Sequence, residues 1–458
     1  MNPLHIEQNA AQREKIRALC EEFRTHNQIA DSVFDKYRVK RGLRNEDGTG
    51  VIAGLTNICN VHGYLIDDNE RIPDVGRLTY RGIDVADLIA GAAADGRFGF
   101  EETVWLLMFG TQPTAQQLAG FTEVIGFYRE LPPYFAEDMI VKAPSANLMN
   151  KLARSVLALY SYDDDPDSTE LENVMRQSIA LIARLPSIMT YAYQVKRRHF
   201  DKESMYLHPL DPSHSTAQAI LHMLRPDSRF TDAEAKLLDT CLILHAEHGG
   251  GNNSTFTTRV LSSSGTDTYS AIAGAIGSLK GPRHGGANHR VMTMMRQMEQ
   301  AVKDWSDDDE IAAYLEKLLR KQAGDGSGLI YGMGHAVYTL SDPRAVLLKE
   351  QARRLSEQNG STARFALFER VERLSPQVFS RVKGGSKVIC ANVDFYSGLV
   401  YDMLGLSEDL YTPLFAVSRI AGWCAHRIEE IVTCRRIIRP AYRSITHSRP
   451  YVPLAKRG

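Results

Sequence analysis

The chain of 458 residues is long enough for two or three domains of average size and for a large buried core. Its apolar fraction of 43% and charged fraction of 24% are those of an ordinary globular protein, and its net charge of −1 creates no overall field that favours nucleic acid or an anionic membrane. An anionic substrate would therefore have to be held by arginines placed locally.

The N-terminal segment and the cysteines indicate a cellular compartment. Residues 1–24 carry four glutamates and no apolar core, which argues against a secretory signal. No run approaches the roughly 18 apolar residues of a transmembrane helix. The six cysteines are scattered without a Cys-x-x-Cys pair, a pattern typical of free thiols in a reducing compartment. We therefore predict a cytoplasmic protein with neither a membrane nor a nucleic-acid partner.

Helical periodicity dominates the chain, and strand signals are few and early. Residues 6–23 predict a first helix. Short strand signals at 51–53, 61–66 and 76–80 then predict a small β-ribbon near the N-terminus. The helices predicted after it, some opening on a candidate N-cap such as Asp84, span 84–91, 101–109, 114–128, 145–160, 169–196, 215–223, 232–245, 267–279, 308–320, 342–358, 361–373 and 413–433. This layout is mainly α.

Four segments in the second half place titratable side chains beside glycines or apolar runs. They read His-Ala-Glu-His-Gly-Gly-Gly-Asn-Asn at 245–253, Gly-Pro-Arg-His-Gly-Gly-Ala-Asn at 281–288, Gly-Met-Gly-His-Ala-Val-Tyr at 332–338 running on to Asp-Pro-Arg at 342–344, and Asn-Val-Asp-Phe-Tyr-Ser-Gly at 392–398. Glycine permits positive φ and close approach of a ligand. A histidine held at such a bend is better placed for acid–base chemistry than for packing.

Taken singly, these residues allow other interpretations. Asp394 lies between apolar runs, where a buried carboxylate is costly unless it is paired or used, but it could also be the N-cap of a helix. His245 ends an apolar helix and is interpreted as structural. A histidine-ligated metalloprotein using His245, His248, His284 and His335 is a further alternative, because His-x-x-His at helical spacing can begin a zinc site.

Together with the arginines that follow them, the four segments resemble the citrate synthase family from about residue 51 to residue 440. The most specific match is Gly-x-Gly-His-x-Val followed by Asp-Pro-Arg, in which Met333 replaces a residue that is more often aromatic or small. The resemblance implies a mainly α, citrate synthase-like two-domain fold. It implies a large helical domain over 1–286, a small domain on the acyl-CoA side over 287–404, and a C-terminal return to the large domain over 405–458.

The resemblance also implies a reaction, the condensation of acetyl-CoA with oxaloacetate and water to give citrate and CoA, the entry step of the tricarboxylic acid cycle. Asp394 would be the base that deprotonates the acetyl methyl group, His284 the donor to the thioester oxygen, and His335 the donor to the ketone. No cofactor and no metal are implied, since acetyl-CoA is a substrate. 2-Methylcitrate synthase, which uses propionyl-CoA, stays open as an alternative.

The remaining site residues follow from the same resemblance, which further implies a homodimer with a shared active site. The residues implied to bind oxaloacetate are His248, Arg344, Arg419 and Arg439. Of these, Arg439 is implied to reach into the active site of the partner subunit. The residues implied to contact coenzyme A are Leu329, Gly332, Gly334 and Lys387.

Overall fold

The computed structural model describes residues 10–68, 70–384, 388–434 and 436–457. They fall into two compact units that divide between Gly54 and Leu55. The first unit contains helices α1 (Ala10–His26) and α2 (Asp31–Lys36) and a 3-10 turn at Arg41–Leu43. The strand predicted at 51–53 was wrong: these residues are exposed and form no strand. A run of three apolar residues without a neighbouring strand has nothing to pair with.

The predicted β-ribbon is confirmed at the start of the second unit. Strands β1 (Cys59–Asp67), β2 (Glu70–Tyr80) and β3 (Ile83–Asp84) form an antiparallel sheet in the order β1-β2-β3. The end of β2 is buried, and the hydroxyl of Tyr80 donates to the carbonyl oxygen of Ile243 at 2.9 Å. The ribbon is thereby anchored to the helical part of the unit.

Most of the rest of the second unit is helical, which confirms the mainly α prediction. Its α-helices are α3 (Val85–Ala94), α4 (Phe100–Phe109), α5 (Ala115–Tyr128), α6 (Leu148–Leu159), α7 (Leu171–Lys196), α8 (Thr216–Leu224), α9 (Asp232–His245), α10 (Asn253–Ser263), α11 (Thr268–Lys280), α12 (Ala287–Ala301), α13 (Asp308–Leu319), α14 (Pro343–Asn359), α15 (Thr362–Lys383), α16 (Val393–Met403) and α17 (Tyr411–Thr433). π-Helical turns occur at Ala136–Val141 and Arg197–Asp201, and 3-10 turns at Tyr160–Tyr162, Glu408–Leu410 and Leu454–Lys456. The predicted N-cap Asp84 accepts from the Ala86 amide at 2.9 Å.

Helix α17 is central to the core of this unit. It packs against α4, α6, α7, α9, α10 and α11, and its side chains are buried almost all round, as expected of a helix inside a large core. Helices α12 to α16 pack mainly on one another, with α14 against α16 and α13 against α15. The predicted domain division at residues 287 and 404 stays a prediction. Among the described helices, none has the length and apolar character needed to cross a bilayer.

The β-ribbon also supports the segment that follows His335. The guanidinium of Arg71 donates to the carbonyl oxygen of Val337 at 2.9 Å. The amides of Asp74 and Gly76 donate to the hydroxyls of Thr339 and Ser341, each at 3.2 Å. An edge of the small sheet therefore holds one of the candidate site segments through several hydrogen bonds.

Candidate active site

Main-chain pairing brings two of the four polar segments together. The amide of Gly334 donates to the carbonyl of Cys390 at 2.7 Å, and the amide of Asn392 donates to the carbonyl of Gly332 at 2.8 Å. The Asn392 side chain adds a bond to the carbonyl of Gly334 at 2.9 Å. Gly332 and Gly334 have φ of 79° and 94°, a region that side-chain-bearing residues rarely adopt. Backbone contacts thus place His335, which follows residues 332–334, and Asp394, which follows residues 390–392.

His335 is held in one tautomer. Its Nδ1 accepts hydrogen bonds from the backbone amides of Val337 at 3.0 Å and Tyr338 at 3.1 Å, so a neutral ring carries its proton on Nε2. The ring stacks on Tyr338 at 4.7 Å and meets the ring of His248 edge-on at 5.1 Å. Burial, and next the charge of Arg344, hold the pKa of His248 well below its ordinary value. The ring of His248 can therefore act as a neutral hydrogen-bonding group.

Arg344 is buried and oriented by a neighbouring carboxylate. Its Nε and Nη2 donate to the two oxygens of Asp342 at 3.0 and 2.7 Å. Asp342 also caps α14 by accepting from the Arg344 amide at 3.0 Å, and it accepts from the amide of Val393 at 3.1 Å. One aspartate therefore joins the arginine to the first turn of α16. Because the guanidinium uses only one edge for this ion pair, its Nη1 side is available to a ligand.

Arg419 is fully buried and incompletely paired. Its Nε donates to the carbonyl of His245 at 2.6 Å, whereas Nη1 and Nη2 have no hydrogen-bond partner among the described residues. Both ring nitrogens of His245 likewise lack partners there, and burial keeps the pKa of this histidine well below its ordinary value. A buried guanidinium with two unpaired nitrogens is costly unless an anion completes it. The position is suited to a carboxylate ligand.

Asp394 lies in the first turn of α16 but does not cap it. The side chain of Asn392 accepts from the Asp394 amide at 3.0 Å, so the alternative of Asp394 as N-cap is wrong. Its own carboxylate makes no hydrogen bond or ion pair within the described ranges. Burial raises the pKa of Asp394 to about 6, against the opposing charge of Arg344. A carboxylate with such a pKa can act as a general base near neutral pH.

His284 is partly buried and anchored through its Nε2. This nitrogen lies 3.0 Å from the hydroxyl oxygen of Ser254, which also accepts from the indole of Trp423 at 3.1 Å. Burial lowers the pKa of His284 to about 4, with a further contribution from the charge of Arg419. The neutral ring can carry its proton on Nδ1 when the serine hydroxyl donates to Nε2.

The residues predicted to contact coenzyme A lie in different surroundings and stay a prediction. Leu329 is exposed and lines a cavity of about 190 Å³ together with Arg290, Asp325 and Tyr331. The hydroxyl of Tyr331 donates to Asp325 at 2.5 Å, and Arg290 donates to that hydroxyl at 3.2 Å. Gly332 and Gly334, also predicted to contact coenzyme A, use backbone groups in the pairing with residues 390–392 described above. Lys387 lies outside the described residues.

Arg439 lies apart from the other candidates. It is exposed on an extended C-terminal segment, which is attached to α10 by a hydrogen bond from the Ile438 amide to the hydroxyl of Ser263 at 3.0 Å. No hydrogen bond, ion pair or ring contact links Arg439 to the other site candidates in the described part of the chain. Its assignment to the partner subunit stays a prediction.

Several positioning residues were missed by sequence reasoning. They are Ser254, Tyr338, Asp342 and Asn392, each of which touches a predicted site residue. Tyr338, Asp342 and Asn392 stand inside the quoted segments, so their position was a usable signal. Within the described residues, no three His, Cys, Asp or Glu side chains are grouped so as to hold a metal ion. Of the four candidate histidine ligands, His248 and His284 are hydrogen-bonded to Tyr338 and Ser254.

Comparisons with known proteins agree with this geometry. Residues 45–441 match the family model "Citrate synthase, C-terminal domain". The chain is 35% identical over 417 residues to citrate synthase of Acidithiobacillus ferridurans, covering 89% of this chain and 97% of that protein. It is 33% identical over 406 residues to 2-methylcitrate synthase 2 of Corynebacterium glutamicum, covering 88% and 93%.

Solved structures show the same fold. The ternary complex of Thermoplasma acidophilum citrate synthase with carboxymethyl coenzyme A and oxaloacetate superposes with a TM-score of 0.74 at 26% identity, covering 92% of this chain and 99% of that one. Citrate synthase of Thermotoga maritima gives a TM-score of 0.71 at 27% identity, with coverage of 92% and 99%. The chain therefore belongs to the citrate synthase family of condensing acyltransferases.

Proposed function

We propose that this enzyme condenses acetyl-CoA with oxaloacetate and water to give citrate and CoA. The observation that carries the proposal is the buried guanidinium of Arg419, whose two Nη nitrogens have no partner among the described residues and whose charge acts on the pKa of His248, His284 and Asp394 alike. A cationic side chain that can bind a substrate carboxylate thus lies close to the neutral histidines His248 and His284 and to the candidate base Asp394.

The oxaloacetate half of the site uses the arginines and two histidines. Arg344 and Arg419 bind the carboxylates through guanidinium edges that are not used by the protein, with His248 as a further contact. His335 donates from Nε2 to the ketone oxygen, because its Nδ1 is occupied by two backbone amides. This donor stabilises the alkoxide that develops when a carbon nucleophile attacks the ketone.

The acyl half of the site uses Asp394 and His284. The carboxylate takes a proton from the methyl group next to the thioester, and the neutral imidazole donates a hydrogen bond to the thioester oxygen, where the enolate charge develops. The methyl carbon then bonds to the ketone carbon, giving citryl-CoA. Water hydrolyses the thioester and releases citrate and CoA. Every step uses side chains, without a metal, a flavin or a nicotinamide.

The decisive assay measures release of free thiol from acetyl-CoA with and without oxaloacetate, on enzyme dialysed against a chelator. We expect oxaloacetate-dependent thiol release that is unaffected by the chelator. Absence of thiol release would overturn the proposed reaction. Activity that disappears on chelation and returns with zinc would favour the histidine-ligated metalloprotein instead.

2-Methylcitrate synthesis from propionyl-CoA is the second candidate, favoured by relatives of that name at 33% identity. One methylene in an apolar pocket changes discrimination by about 1–3 kcal/mol, so motifs shared by both groups do not separate them. The ratio of kcat/KM for the two acyl-CoA substrates, measured side by side, separates them. A preference of at least about tenfold for propionyl-CoA would assign the second activity.

We further propose a homodimer in which the C-terminal segment covers a second copy of the chain. Its side chains Tyr442, Tyr451 and Leu454 are 95%, 81% and 75% exposed, an unusual state for large apolar residues on an extended segment. Association with a partner would bury them and would bring Arg439 toward the partner's oxaloacetate site.

A cytoplasmic location is proposed from the cysteines, all six of which are free thiols.

The pH dependence of the reaction should follow Asp394. Because the base must be ionised and its pKa is about 6, we expect kcat/KM to be level above that pH and to fall about tenfold per unit below it. His284 is neutral throughout this range, since its pKa is about 4. A pH profile of kcat/KM checks this expectation. A plateau that continues down to the ordinary pKa of an aspartate would contradict it.

A further inference from the structure

A line of contacts fixes the loop that carries His248 against helix α17. The amide of Gly422 donates to the carbonyl of Ala246 at 3.2 Å. A Cβ at Gly422 would stand 2.1 Å from Oε2 of Glu247, so this close approach requires glycine. The loop between α9 and α10 therefore rests directly on the backbone of α17, one turn after Arg419.

The side chain of Glu247 completes this attachment from within the loop. Its Oε1 accepts from the amide of Gly249 at 2.5 Å and from Nε2 of His426 at 3.0 Å. Glu247 and His426 are fully buried, and Gly249 is partly buried. Burial alone would raise the pKa of Glu247, but the neighbouring His426 holds this pKa below its ordinary value. The ionised carboxylate also offsets the charge of the buried Arg419.

His426 is oriented by a second ion-paired group. Its Nδ1 accepts from Nε and Nη2 of Arg259 at 3.2 and 2.7 Å, so its ring proton lies on Nε2 and is donated to Glu247. Arg259 is in turn paired with Glu430 at 2.8 Å and with Glu429. The chain of contacts runs from the two α17 glutamates through Arg259 and His426 to the loop.

We propose that His426 is a positioning residue that acts through Glu247 to hold the loop of His248 in its ligand-binding arrangement. Both ring nitrogens of His426 are hydrogen-bonded within the protein, to Glu247 and to Arg259. This inference rests on the proposed oxaloacetate site and adds a residue that acts through the loop. Buried polar networks of this kind are costly when one member is lost, because the remaining groups stay buried without partners.

Two substitutions at His426 separate positioning from packing. In His426→Gln the amide can donate to Glu247 while its oxygen accepts from Arg259, whereas His426→Leu does neither. We expect His426→Leu to weaken oxaloacetate binding and to speed hydrogen exchange in the peptide 246–252, each by at least about tenfold, and His426→Gln to restore most of both. If the leucine variant does not fold, His426→Asn, which is too short to span both partners, should show the same two losses.

Cys424→Ala is the matched control, since Cys424 is buried on the same helix and the one hydrogen bond of its thiol among the described residues is a weak 3.9 Å contact to the Ser178 carbonyl. This substitution should lower the melting temperature without changing oxaloacetate binding or hydrogen exchange in the peptide 246–252. Unchanged exchange in the leucine or asparagine variant, or an equal change in the control, would overturn the inference. Wild-type protein that fails to bind oxaloacetate in calorimetry, while loop exchange responds as expected, would overturn the proposed function and leave the positioning of the loop standing.

Discussion

Replacement of Asp394 by asparagine should abolish condensation while leaving oxaloacetate binding close to wild type. The amide keeps the shape of the side chain but cannot take a proton, and loss of a general base costs about 10²–10⁴-fold in turnover. Helix α16 should be unaffected, because Asn392 provides its N-cap. Steady-state kinetics and calorimetry with oxaloacetate measure the two effects separately.

The matched control for this experiment is Asp402→Asn. Asp402 lies on the same helix and is paired with Arg364, away from the candidate site. Its variant should keep a kcat close to wild type. Retention of more than about a tenth of wild-type kcat by Asp394→Asn would remove the aspartate from the role of base.

Mixed subunits should recover activity from two inactive variants. If Arg439 serves the partner's site, His335→Ala and Arg439→Ala are each nearly inactive alone, but a mixed dimer has one site with both defects and one with neither. Random reassortment of equal amounts makes about half of the dimers mixed, so activity should return to roughly a quarter of wild type. The measurement is thiol release after subunit exchange has been verified by mass spectrometry.

Arg449→Ala provides the comparison, since Arg449 is an exposed arginine on the same C-terminal segment. This variant should be active alone. Mixed samples that stay at the level of the separate variants would assign Arg439 to its own subunit's site or to no site. Arg439→Ala that is fully active alone would remove the residue from catalysis altogether.

The helices were predictable where capping and amphipathic signals coincide. The predicted range 232–245 matches α9, whose N-terminus is capped by Thr231 with Glu234 in a reciprocal pair. Helices α10, α12 and α16 were not predicted. Each begins within a polar site segment, whose glycines and polar side chains hide the start of the helix. Helix α16 is in addition buried on nearly every side, so it lacks the simple one-sided pattern on which periodicity depends.

The candidate site residues could be singled out from the sequence, whereas their orientation could not. His335, Arg344 and Asp394 stand in recognisable segments, but the tautomer of the histidine depends on backbone amides two and three residues away and on the bend that exposes them. The unpaired nitrogens of Arg419 depend on a contact with His245, which is distant in sequence. Such properties arise from tertiary packing, so no local pattern encodes them.

The main-chain pairing of residues 332–334 with 390–392 has a consequence for how substrate range can evolve in this fold. Because backbone hydrogen bonds join the segments that carry His335 and Asp394, these two residues keep their register when the side chain at Met333 changes. An insertion of a single residue in either segment would shift that register. Selectivity for acyl length can thus drift by side-chain exchange alone, which accords with the equal 33% identity of this chain to a citrate synthase and to a 2-methylcitrate synthase.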